Sequence, residues 1–136
     1  MHIAGSLKDD PSIPNSELLY RTIDRTQVKE GNAVSSGAFK SRKGNPHTSV
    51  ELGSLTTPQE TLKRRPSHVG VVKLLTAGVR AIRPGVIGVS RDPIPASGSQ
   101  PGNPAHAIIF REISPNRVYV ESAYKLAKLC EWVLVP

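Results

Sequence analysis

The run Glu17-Leu18-Leu19-Tyr20-Arg21-Thr22-Ile23 is followed by Val34-Ser35-Ser36-Gly37-Ala38-Phe39-Lys40 and then by His47-Thr48-Ser49-Val50-Glu51-Leu52-Gly53. In the first run Leu18, Tyr20 and Thr22 alternate with Leu19, Arg21 and Ile23, the period of two that a strand requires, with one face more polar. The last run alternates His47, Ser49 and Glu51 with Thr48, Val50 and Leu52 and reads as a second strand. The middle run suits either a short strand or a tight turn. Polar side chains on half-buried strands are costly unless partnered, so their recurrence across these runs marks a candidate site.

Working outward, residues 1–16 hold Lys8, Asp9, Asp10, Pro11 and Pro14 with few large apolar groups, and read as a flexible N-terminal arm. Asp24 to Asn32 is a polar loop, and Ser41 to Pro46 a basic one. Thr57 suits a helix N-cap, Pro58 the first helical position and Glu60 the third, a capping box that opens a short helix ending near Lys63-Arg64-Arg65, before Pro66. Val69 to Leu75 is rich in β-branched residues and reads as a buried strand. Thr76 then caps a helical turn stopped by Pro84-Gly85, and Val86 to Val89 forms another short strand. Asp92 to Pro104, dense in proline and glycine, is a surface loop that can serve as a lid. Ala105 to Ile113 is the strongest central-strand candidate. From Val118 onward Ala123, Leu126, Ala127, Cys130 and Val133 recur at helical spacing, which predicts a C-terminal amphipathic helix. The sum is an α+β fold. A mixed or mainly antiparallel sheet of about five strands is expected under one or two helices, including the C-terminal one. Residues 17–136 make a single domain after the arm.

At 136 residues one core is affordable, and a formal charge of +7 favours an anionic partner: a nucleotide or other anionic small molecule, a nucleic acid, or an acidic protein. Cys130 is the only cysteine, so no internal disulfide forms, and a reducing cytoplasm is the expected location. The start of the chain carries no apolar run of signal-peptide length and no segment reaches the length of a membrane span, so a soluble protein without a membrane partner is expected.

Absences narrow the chemistry. There is no phosphate-binding Gly-x-x-x-x-Gly-Lys, no Gly-x-Gly-x-x-Gly, no His-Glu-x-x-His and no nucleophile elbow. The four histidines are far apart in sequence, so no metal site is read and no cofactor is identified. With two Phe, three Tyr and one Trp, an aromatic platform for stacking bases is not expected.

Four groups of residues remain. Arg21, on a strand, suits a guanidinium fork for phosphate or carboxylate, or an edge-strand arginine reaching to water. Ser35 and Ser36, ahead of Gly37, suit an anion-orienting turn or ordinary turn formation. His47, Ser49 and Glu51 share one strand face and suit acid–base and ligand contacts, or a solvated sheet surface. His106 sits between two alanines at the start of an apolar strand, directly after the long loop. It suits proton transfer near neutrality, or a core histidine bonded to a backbone carbonyl. Lys63-Arg64-Arg65 reads most simply as a helix C-terminal charge cluster, and Cys130 as a small buried hydrophobe.

Leu18-Leu19-Tyr20-Arg21, Ser35 to Lys40, Thr48 to Leu52 and Asn103-Pro104-Ala105-His106-Ala107 resemble a family of small bacterial proteins to which no activity is attached. Tyr20-Arg21 and Val34-Ser35-Ser36 are also loosely similar to ADP-ribosyltransferases and to toxins with an Arg-Glu-Ser type NAD pocket. In those groups an arginine ends the first strand after an aromatic residue, a serine-rich strand start follows, and a glutamate completes catalysis. This chain has no Ser-Thr-Ser and no Glu-x-Glu or Gln-x-Glu pair, and Glu51 and Glu112 are the stand-ins. The resemblance implies a nucleotide (NAD-like) pocket supporting transfer or hydrolysis; with the residues read above, His106 and Glu51 are the catalytic candidates and Arg21, Ser35, Ser36, His47 and Ser49 the ligand-binding ones. The alternative is a non-catalytic basic module that binds nucleic acid or a protein partner through Arg42, Lys43 and Lys63 to Arg65.

Overall fold

A computed structural model describes residues 8–40 and 45–136. Its strands are β1 (Leu18–Ile23), β2 (His47–Leu52), β3 (Gly70–Leu75), β4 (Val86–Arg91), β5 (His106–Arg111) and β6 (Glu131–Leu134). They form one sheet in the order β4-β5-β2-β1-β3-β6, and every neighbouring pair is antiparallel. Three helices accompany it: α1 (Pro58–Lys63), α2 (Thr76–Arg80) and α3 (Asn116–Leu129). The fold is α+β, with six strands where about five were expected from layer reasoning. Among the described residues no helix is long and apolar enough to cross a membrane.

The sixth strand comes from the end of the expected helix. Helix α3 stops at Leu129, and Cys130 turns extended with φ −70° and ψ 152°. Glu131–Leu134 then pairs with β3, which places Trp132 opposite Val72. Val133 therefore lies on a strand, not on the helix stripe. The Ala127 to Cys130 spacing is helical, but Trp132, Val133 and Leu134 prefer a pleated surface and cover an otherwise open sheet edge. The ambiguous run 34–40 resolves as a single turn of 3-10 helix at Ser36–Phe39, where the Ser35 hydroxyl accepts from the Gly37 N–H at 3.1 Å. Helix α1 starts as its cap predicts, with Thr57 Oγ1 accepting from the Glu60 N–H at 3.2 Å.

The expected loose arm over 1–16 is anchored from Asp9 on; residues 1–7 lie outside the described part. Ile13 is fully buried. Arg80 of α2 grips this segment, donating from Nε to Asp9 Oδ1 at 3.0 Å, from Nη1 to the Ile13 carbonyl at 2.8 Å and from Nη2 to the Asp10 carbonyl at 2.9 Å. The Asp10 N–H donates to the Val89 carbonyl at 2.8 Å, which fastens the segment to β4. Few large apolar residues suffice here, because one buried isoleucine and a multidentate arginine do the anchoring.

The two sheet faces differ. Leu19, Ile23, Val50, Leu52, Val72, Leu74, Val89, Ala107 and Ile109 join the main core with Ile13, Phe39, Val79 and the α3 residues Ala123 and Leu126. Alternation turns Tyr20, Ser49, Glu51 and His106 to the opposite face. There Tyr20 pairs with Glu51, and Glu51 with His106, so three side chains stand in a row across β1, β2 and β5.

Candidate functional site

A cleft of about 860 Å³ lies over that row, walled by α1 and its following turn on one side and by the 92–104 loop on the other. Tyr20, Arg21, Ser49, Glu51, Arg64, Arg65, His68, Asn103 and His106 line it. The sheet itself makes room. Strands β1 and β2 pair only at Leu19–Leu52 and Tyr20–Glu51 and then part, β1 continuing along β3 and β2 along β5.

Arg21 fills the gap this parting leaves. Its Nη1 donates to the Ser49 carbonyl at 2.6 Å and its Nε to the Ala38 carbonyl at 2.7 Å, with Phe39 5.7 Å below the guanidinium. The guanidinium thus supplies a rung that the backbone cannot make, since β1 and β2 no longer face one another there. Burial, then the charges of Arg65 and Arg111, push Arg21 down to about 10, which leaves it a cation at neutral pH. Both weighed readings of Arg21, clamp or surface arginine, omitted this structural role.

His106 stands at the mouth of the 92–104 loop. Its Nδ1 lies 2.9 Å from the Asp92 carbonyl oxygen and 3.2 Å from Asp92 Oδ2. Both neighbours are acceptors, so Nδ1 carries the hydrogen, and in the neutral ring the lone pair is on Nε2. Its side chain keeps 16 % exposure and lines the cleft rather than being sealed in hydrocarbon.

Glu51 is a cross-tie. Oε1 accepts from the Thr61 hydroxyl at 2.9 Å and from Arg64 Nη1; Oε2 accepts from Asn103 Nδ2 at 2.9 Å. One carboxylate on β2 thereby holds α1, the residue that caps it and the loop opposite, which sets the spacing of the cleft walls. Thr61 and Asn103 are both buried, so breaking this tie would strand polar groups. Arg64, read from sequence as part of a helix-end charge cluster, is committed to Glu51 instead. That removes it from the basic surface of the interaction-module reading. Arg42 and Lys43, which that reading also used, lie outside the described residues.

The other candidates fall elsewhere. Ser35 and Ser36 do not reach the cleft and so do not stand beside Arg21's free side; they line a separate cavity of about 370 Å³ with Lys29, Tyr124, Lys128 and Trp132. The turn they open meets Arg21 through the Ala38 carbonyl rather than through hydroxyls, because Arg21 shares the core-side face with Leu19 and Ile23. His47 pairs with Phe110, at the end of β2 away from Glu51, and does not line the cleft. Glu112, the other stand-in glutamate, accepts from the Gly85 N–H at 2.7 Å and is not part of the lining either. Cys130 is half-buried, and burial pushes its thiol up to about 11, away from the reactive range.

Sequence reasoning did not single out Asp92, Asn103 or His68, and it placed Arg65 only in a helix-end charge cluster and in a basic surface. His68 Nδ1 lies 2.7 Å from Thr22 Oγ1, and this fixes its ring beside β1. No local pattern announces these residues; Arg65, His68 and Asn103 reach the cleft from loops whose paths depend on tertiary packing, and Asp92 stands behind His106. No family model, curated protein or solved structure matches the chain.

Proposed function

We propose that this cleft binds an anionic small molecule of nucleotide size and that His106 transfers a proton in a group transfer or hydrolysis performed on it. The observation that carries this reading is that His106, held on Asp92, lines the same cleft as the guanidiniums of Arg21 and Arg65. A histidine with one nitrogen fixed on a carboxylate and the other toward a cavity has the arrangement a general base needs. The volume lies within the range of ligand pockets. Glu51 holds the walls in place, and the 92–104 loop covers the site. The similarity of Tyr20-Arg21 to NAD-pocket proteins makes NAD+ the first ligand to try.

Thermal melting with NAD+, ADP-ribose, nucleoside diphosphates and sugar phosphates, followed by assay of product from whichever raises Tm, tests the proposal. His106→Ala is expected to abolish turnover while melting within a few degrees of the parent and keeping its ligand-induced shift. If His106→Ala instead costs as much stability as a core truncation, the histidine is structural and the catalytic part of the reading fails. If none of these compounds shifts Tm, the binding part fails as well.

A further inference from the structure

Among the described residues three guanidiniums in and beneath the cleft, those of Arg21, Arg65 and Arg111, have no carboxylate partner. Arg21 donates only to carbonyl oxygens. Buried Arg111 beneath it does much the same, donating to the Phe39 and Tyr119 carbonyls and to the Ser122 hydroxyl. Among the described residues neither makes an ion pair with a carboxylate, and neither does Arg65, whose exposed side chain has no partner there. The two acids that line the cleft are engaged: Glu51 with Arg64, Glu60 with Lys63. A cation left in a partly desolvated gap without a counter-charge is costly, and a second guanidinium nearby adds to that cost. Arg21 has Nη2 left over after its two carbonyl bonds, and Arg65 has its whole fork.

We propose that Arg21 and Arg65 form an anion subsite where β1 and β2 part, and that its ligand is a diphosphate-bearing small molecule long enough to reach His106. The proposal rests on the reading of the cleft given above. Two guanidiniums match the planar, bidentate recognition of phosphoryl oxygens, and a diphosphate supplies the two missing counter-charges at once. Sheet register sets the ligand's length. The Arg21 guanidinium sits on the Ser49 carbonyl of β2, and His106 on β5 faces Glu51, so the two are one strand spacing (about 5 Å) apart across the sheet and two residues (about 7 Å) apart along it. Inorganic phosphate or a two-carbon acid cannot fill both ends. A nucleoside diphosphate or dinucleotide, with its reacting bond beyond the diphosphate, can.

Inorganic pyrophosphate probes the subsite without the rest of the ligand. Its affinity for the full chain is measured by calorimetry for the parent, for Arg65→Gln, and for Lys29→Gln, which removes the same charge at the other cavity. Arg65 is exposed, so its variant is expected to fold. The expected result is a loss of about tenfold or more with Arg65→Gln and less than about twofold with Lys29→Gln, in line with the strength of a charge-assisted fork. Equal losses in the two variants would reduce the effect to net charge and overturn the subsite. So would pyrophosphate binding that ignores Arg65→Gln, or no pyrophosphate binding while one of the compounds tried above still shifts Tm; either result leaves the His106 reading standing. If no compound binds at all, both proposals fall together.

Discussion

Arg21 shows how one side chain can be structural and still face a site. Its two carbonyl bonds close the gap between β1 and β2 and anchor the 36–39 turn. Arg21→Gln would leave the Ala38 and Ser49 carbonyls without donors, and a loss of about 2–4 kcal/mol in chemical denaturation is expected. A loss below about 0.5 kcal/mol, the usual size of a surface change, would show that water replaces the guanidinium there. Cys130 gives a pH signature of known sign. Burial raises the folded thiol to about 11 from an ordinary 9.0, so the folded state holds its proton through a range where the unfolded chain has lost it. The stability this represents is present below pH 9 and declines as pH rises toward 11. Cys130→Ala is expected to flatten that part of a stability–pH curve, and an unchanged slope would assign it to another group.

At the scale of elements, the docking of the N-terminal segment on β4 depends on a missing side chain. A Cβ at Gly88 would lie 2.6 Å from Asp9 Cβ and 2.7 Å from Asp9 Cα. Asp9 cannot simply move, since its carboxylate accepts from Arg80 Nε and from the Val89 N–H, each at 3.0 Å. Gly88→Ala should therefore lift the segment and uncover Ile13, at a cost of about 1–3 kcal/mol for overpacking. Limited proteolysis reads this directly: cleavage between residues 8 and 16 should rise sharply in the variant, and parental resistance there would contradict the account. The N-cap of α1 was legible because Thr57, Pro58 and Glu60 fall within four consecutive residues, although only the Thr57 half of the expected capping box forms and the Glu60 carboxylate turns to Lys63. The boundary between α3 and β6 was not, because a helical spacing continues to Cys130 and only the open edge of β3 makes the extended path better.

At the scale of the whole molecule, the polar row on the sheet was partly readable. Alternation placed Ser49 and Glu51 on one strand face, and the position of His106 at the start of an apolar strand singled it out. What these residues face was not readable. Glu51 meets Asn103 because β5 returns to lie beside β2 and meets Arg64 because α1 folds back over the sheet, while His106 meets Asp92 where β4 and β5 pair, with the 92–104 loop folded back toward α1. Ser35 and Ser36 were grouped with Arg21 by closeness in the chain, yet the turn between them and Ala38 directs the hydroxyls to another cavity. By itself the sequence determined the class of the fold, most of the strands, the start of α1 and the polar face of β2, since each depends on interactions within a few residues. Only the tertiary structure decided which cations lack an acid and which histidine meets a carboxylate, because those pairings are set by strand order, and strand order is a property of the packed sheet rather than of any local run.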